Sequence, residues 1–238
     1  MSNQAGRHDP RVNHVLAALP PKVLERLTPQ LTHRRVDHGE ILLYADEAVD
    51  QVYFPTSGVF SLVVKGENGS AVEAAVVGRE GLLGSAAVLG SGQSTFEELC
   101  QVDPGTALAL PAAVLRAEME SEPLVRLFLL RYVAALLTAT ARSVACNRLH
   151  RAEQRLARWL LEVRDRVEGD TFYLTQEFLG QMLGVRRPTV TEAAATLERA
   201  GLLRHERGRI RLLDEPGLEA VACEDYRCIR DAYALLAG

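Results

Sequence analysis

The chain has 238 residues, a formal net charge of -4 and 47% hydrophobic residues, which places it among ordinary globular proteins of one large or two modest domains. Its charges are evenly mixed, so nothing argues for a disordered tail beyond the polar start MSNQAGRHDP, and that start lacks the apolar stretch of a secretory signal. No uninterrupted apolar run reaches bilayer length, the nearest, LFLLRYVAALLTATA, being broken by Arg131; cytoplasmic residence with no membrane partner is the expectation.

In chain order, helical turns are predicted within Pro20 to Leu31. From about Val36 to Leu110 come short β-like runs, ILLYA, QVYFP, GVFSLVV, AVEAAVV, ELCQV and TALALP, separated by Gly, Asp, Asn and Ser turns. Strands that short and that evenly spaced predict an antiparallel sandwich, jelly roll or barrel. After Pro111 the pattern becomes helical, with AAVLRAEMESE as a short helix. Pro123 then opens a long one, in which Leu127, Leu130, Ala134, Leu137, Ala141 and Val144 recur at steps of three and four. Such a seam, though under three heptads long, is read as a dimer seam between two chains, because a helix-turn-helix needs a two-fold partner to span two half-sites; packing on the chain's own β unit is the alternative. A further helix, about Arg151 to Val167, carries Leu156, Trp159, Leu160 and Val163 at helical spacing as core residues. Asn147 is the expected cap between the two helices. The expected divisions are 1–122, 123–147 and 148–238.

Residues Leu174 to Leu213 carry the most information. A first helix, capped by Thr175, runs through Phe178, Leu179, Met182 and Leu183 and ends at Gly184. A second starts near Arg187-Pro188, where proline forfeits no intrahelical bond, and runs through Val190, Ala193, Ala194 and Leu197 to a stop at Gly201. Two helices joined so tightly form a helix-turn-helix, whose second helix can enter the major groove. LLRHERGRIRLL then alternates around Arg207-Gly208 as a candidate wing. From Gly184 to Arg211 seven arginines face three glutamates, a local charge of +4 against the chain's -4, which suits phosphate contact.

The four cysteines, Cys100, Cys146, Cys223 and Cys228, are too few and scattered for a disulfide scaffold. Cys223 and Cys228, in CEDYRC, invite a metal or redox reading, but two ligands at that spacing do not close a zinc or iron–sulfur site. No metal site is expected. An enzyme is disfavoured, since there is no Gly-rich phosphate loop, no G-x-S-x-G elbow and no clustered His/Cys/Asp set.

The order of parts, a β-roll, a long helix and a winged helix-turn-helix, resembles the Crp/Fnr family of bacterial transcription regulators. The resemblance is carried by HGEILLYADEAVDQVYFPTSGVFSLVV (His38 to Val64), RAEQRLARWLL (Arg151 to Leu161) and GQMLGVRRPTVTEAAATLERAGLL (Gly180 to Leu203). It implies an α+β fold with an N-terminal antiparallel β-roll or jelly roll, a long central dimerisation helix and a C-terminal winged helix-turn-helix. It also implies a homodimer acting on double-stranded DNA and RNA polymerase, with a possible small-molecule effector in the β domain.

The effector is not fixed by that resemblance. Where cyclic-nucleotide-binding members have Gly-Glu for the ribose and Arg-Ser for the phosphate, this chain has Gly84-Ser85 and Thr95-Phe96, with Glu97 and Glu98 beside them. A phosphate there would forfeit a charge-assisted bond worth roughly 1.5–3 kcal/mol, which speaks against a cyclic nucleotide. Thr140 stands where some members touch the base, though a back-bonded helix hydroxyl explains it equally. The N-terminal cysteine cluster of iron–sulfur members is missing, and His14, His33 and His38 form no haem-binding pattern. On the DNA side Pro188 and Glu192 replace the family's Glu and Arg, so a different target sequence is implied. Arg186, Arg187, Thr189, Thr191 and Glu192 are the candidate base or phosphate contacts, and Thr175, Gln176, Arg207, Arg209 and Arg211 the candidate phosphate contacts. A constitutive binder with a vestigial sensor is the alternative.

Overall fold

The computed structural model describes residues 9–67, 69–174, 176–206 and 208–236, with the side chains of Asp103, Gln176 and Glu177 left out. Thr175 and Arg207, both expected to contact DNA, lie outside the described residues. Two short helices, α1 (His14–Ala17) and α2 (Pro21–Leu27), lead into a five-stranded antiparallel sheet. Its strands are β1 (Thr32–Val36), β2 (Ile41–Leu43), β3 (Gln51–Lys65), β4 (Ala71–Val77) and β5 (Glu97–Pro111). The order is β1-β5-β3-β4, with β2 also on β5, and α3 (Ser85–Leu89) lies between β4 and β5.

Two pairs of runs read as separate strands are in fact continuous. QVYFP and GVFSLVV are both in β3, and ELCQV and TALALP are both in β5. The sheet curls within these long strands instead of turning between short ones. Its register shifts at Pro55/Ser57, Ser57/Val59 and Val59/Phe60, and Gly58 has φ +79° with Val102 O only 2.6 Å from where a Cβ would sit. Bulges bend a strand without ending it, and Gly58 is the residue that permits the bend.

The sheet is covered on both faces. Phe54, Phe60, Leu62, Val77 and Leu108 join the core of the roll, whereas Val59, Val76 and Val102 join a second core shared with the C-terminal region. After α4 (Ala112–Ser121), α5 (Pro123–Leu149) packs Val125, Leu129, Tyr132, Leu136 and Ala139 on the first core. Tyr132 also donates to Leu82 O at 2.8 Å. Each large apolar side chain buried this way contributes on the order of 1.5–3 kcal/mol. α5 runs two residues beyond the expected 147, so Asn147 is not a cap: its Oδ1 accepts from Arg155 Nη2 at 2.8 Å. By length and hydropathy α5 meets the requirement for a membrane span, so the single interruption at Arg131 was a weaker argument than the packing of its face on the roll.

His150 and Arg151 join α5 to α6 (Ala152–Arg164). There follow β6 (Thr171–Tyr173), α7 (Gln176–Met182), α8 (Arg187–Arg199), β7 (Leu203–Glu206), β8 (Arg209–Leu212), α9 (Glu215–Val221) and α10 (Asp225–Ala234). β6-β8-β7 form a small sheet, in which β6 is a strand the sequence pattern did not reveal. Leu156, Leu160, Val190, Leu197, Ile210 and Leu218 fill the core of this region.

Candidate nucleic-acid interface and sensor region

α7 and α8 meet at a bend that needs glycine. Gly184 adopts φ +59°, a left-handed conformation costly for a side chain bearing Cβ. Val185 N–H donates to Gly180 O at 2.9 Å, and a Cβ on Gly180 would lie 3.0 Å from Val185 O. α8 buries Val190, Ala193, Ala194 and Leu197, which turns its opposite side to solvent. Arg186, Arg187, Pro188, Thr191 and Glu192 are exposed there and Thr189 is half-buried. No side chain caps the start of α8; Pro188 has no N–H and Thr189 N–H already donates to Arg186 O at 2.9 Å, so the positive end of the helix dipole, more than a set of free amides, is what this end offers an anion. Among the described residues neither Arg186 nor Arg187 forms an ion pair. Thr191 donates its hydroxyl to Arg187 O at 3.1 Å, which leaves the methyl group for an apolar contact.

The wing is a true antiparallel pair, Leu203 facing Leu212 and Glu206 facing Arg209. Gly208 turns it at φ +78°, with the Tyr173 ring 3.0 Å from the place of a Cβ. Arg209 and Arg211 are exposed, and Arg211 Nε lies 3.0 Å from Asp170 Oδ2. That solvent-facing pair is weak, so Arg211 is readily released to a phosphate. Gln176 is the first residue of α7.

The β domain presents a different chemistry. Gly84 (φ +86°) precedes α3, and its N–H donates at 3.0 Å to the carboxylate of Glu98, which also accepts from Ser94 Oγ at 3.4 Å. Glu98 is fully buried, and loss of hydration pushes its pKa up to about 7. Ser85 is buried close by in sequence, Thr95 is exposed and Phe96 half-buried. Lys65 is committed to Glu97 at 2.5 Å. Thr140 donates to Leu136 O at 3.0 Å, the back-bonded arrangement. His14, His33 and His38 are exposed.

Buried polar contacts tie the two regions together. Trp159 Nε1 donates to Glu73 on β4 at 2.6 Å, and Glu73 also accepts from Ser61. Arg166 Nε donates to Glu80 at 2.6 Å. Trp159, read from its spacing as core of the DNA-binding region, thus also reaches the roll. Cys146 and Cys223 are buried with their sulfurs 3.3 Å apart, which the reading of Cys223 with Cys228 did not anticipate. The signals for these were faint: a lone glutamate in an apolar strand, and an indole whose N–H must find a partner once buried.

Residues 33–122 match the cyclic nucleotide-binding domain family, and residues 154–221 the Crp-like helix-turn-helix domain family. The transcriptional regulatory protein btr of Bordetella pertussis is 26% identical over 219 residues, which cover 86% of this chain and 87% of that one. The chain belongs to the Crp/Fnr family of transcription regulators. Members of this family are DNA-binding regulators, not enzymes. A CRP-like cAMP-activated global transcriptional regulator of Mycobacterium tuberculosis is 24% identical over 211 residues, which cover 86% of this chain and 94% of that one. FixK2 of Bradyrhizobium japonicum has the same fold, with a TM-score of 0.69 at 21% identity over 81% of this chain and 98% of that one. The curled β unit, long helix and C-terminal helix-turn-helix are the Crp/Fnr arrangement.

Proposed function

We propose that this Crp/Fnr regulator acts in the cytoplasm as a homodimer. In this reading α8 and the wing of each chain read one half-site, and a signal other than a cyclic nucleotide gates binding in the β domain. The observation that carries the dimer is the open side of α5. Leu127, Leu130, Leu137 and Val144 are 48%, 39%, 67% and 66% exposed, and Ala134 and Ala141 are exposed between them. A stripe of that length on a soluble protein marks an interaction face, and a second copy supplies the matching stripe. Half-sites read by a two-fold pair lie about one helical turn apart. RNA polymerase is the further partner that a transcription regulator requires.

The residues of the cyclic-nucleotide subsite do not fit a cyclic phosphate. The amide of Gly84 is already engaged by the carboxylate of Glu98, neither Thr95 nor Phe96 carries a cation to neutralise a second anion, and Lys65 is held by Glu97. That chemistry also supports the alternative, a constitutive DNA-binding dimer whose β domain only carries α5. A thermal-shift screen separates the two. A true effector at 100 times its dissociation constant adds about 2.7 kcal/mol of stability, and the same compound changes operator affinity in a gel-shift titration. No response to nucleotides, haem, 2-oxoacids or fatty acids supports the constitutive dimer.

A further inference from the structure

Cys146 lies in the last turns of α5, and Cys223 lies two residues before the start of α10. Seventy-six residues separate them in sequence, among them the joint at His150-Arg151, the whole helix-turn-helix and the wing. Their sulfurs are 3.3 Å apart, about 1.2 Å beyond a disulfide bond, and both side chains are buried. We propose that Cys146 and Cys223 form a reversible dithiol–disulfide switch, oxidised by a peroxide, that staples α5 to the C-terminal segment and thereby fixes the DNA-binding region against the dimerisation helix. The switch rests on the reading of this chain as a signal-gated DNA-binding regulator, and it places a signal at the joint of α5 with the C-terminal region instead of in the β domain.

The surroundings favour a thiolate. The hydrogen bond between the two thiols and the Arg158 guanidinium beside Cys146 hold the Cys146 thiol below its ordinary range. Asp225 has one carboxylate oxygen 3.5 Å from Arg142 and the other 3.2 Å from His150 Nε2. His150 in turn lies 3.6 Å from the exposed Glu224, so a chain of polar side chains leads from the cysteine pair through Asp225 and His150 toward the surface. The Cys146 and Cys223 sulfurs and the Asp225 carboxylate lie within 4.8 Å of one another, a set that could also hold a metal ion. Three arginines, Arg142, Arg155 and Arg158, already face this group and supply the positive charge a dication would bring, which favours the redox reading.

The chemistry balances with two electrons. The Cys146 thiolate attacks one peroxide oxygen: an S–O bond forms, the O–O bond breaks, and the departing hydroxide takes up the proton Cys146 had released, leaving as water. The Cys223 sulfur then attacks the Cys146 sulfur, forming the S–S bond and breaking S–O, and the second hydroxide leaves with the Cys223 proton as water. Two thiols are oxidised and one peroxide is reduced to two waters.

The test uses the full-length chain, reduced and then treated with hydrogen peroxide. The expected result is a mass loss of two hydrogens, a peptide map joining Cys146 to Cys223, and reversal by dithiothreitol. Operator affinity should change at least fivefold on oxidation in the unsubstituted chain and not in C223S. A link through Cys100 or Cys228, a link between chains, or no link overturns the proposal. So does a stoichiometric zinc ion lost in D225N, or a disulfide that leaves operator affinity unchanged. The map and mass come from the unsubstituted chain, so misfolding of C223S cannot mask the result, and C146A is the second variant. If the reduced chain binds no DNA at all, the functional reading fails while the peptide map still decides the disulfide.

Discussion

α5 has two apolar sides that look alike in the sequence and part company in the fold. Val125, Leu129, Tyr132, Leu136 and Ala139 are buried on the chain's own β-roll, while Leu127, Leu130, Ala134, Leu137, Ala141 and Val144 lie open. The contrast teaches that apolar content does not say whose core a residue belongs to. A helix apolar on both sides of its axis has a second surface to satisfy, and the chain alone provides only one.

The largest effect should come from the closed side. Y132A removes a fully buried ring and its hydrogen bond to Leu82, so urea unfolding should register a loss of about 3–5 kcal/mol. L137D, on the open side, should leave the far-ultraviolet circular dichroism of the chain intact. Its cost appears between chains, as a rise of roughly 100-fold in the dimer dissociation constant by sedimentation, about 3 kcal/mol. If the two variants behaved alike, the distinction between the sides would be lost.

The third prediction concerns charge inside the closed core. Glu98, with a pKa raised to about 7 by burial, binds its proton more tightly folded than unfolded. Its contribution to stability is therefore greatest in acid and declines as pH rises from about 4.5 to about 7. E98Q, which mimics the protonated form, should match the parent near pH 5 and exceed it by up to about 3 kcal/mol near pH 8 in denaturant titrations. A parallel displacement at both pH values would show that the carboxylate does not titrate there. Smallest is R187A, expected to weaken binding to an operator selected from random DNA by about 1–3 kcal/mol with the dimer intact. Unchanged affinity would remove Arg187 from the reading set.

The DNA-binding half was legible because its signals are local. Gly184 bends, Pro188 starts a helix, Gly208 turns a hairpin, and each reports on its own neighbourhood. The seam of α5 was legible as a period, although which of two partners it meets required the buried side to be seen. What escaped the sequence was long-range. Cys223 meets Cys146 and Trp159 meets Glu73 only because α6 and α10 pack on α5 and the roll, and no spacing encodes such meetings. The merging of β-runs into β3 and β5 was hidden for the opposite reason, since bulges and Gly58 imitate turns.

Native mass spectrometry of the chain on a selected operator with two half-sites tests the central claim most directly. Two chains per duplex are predicted, with L137D giving no two-chain complex at the same concentration. A single chain saturating the duplex, or L137D occupying it in pairs as well as the parent does, would contradict the account.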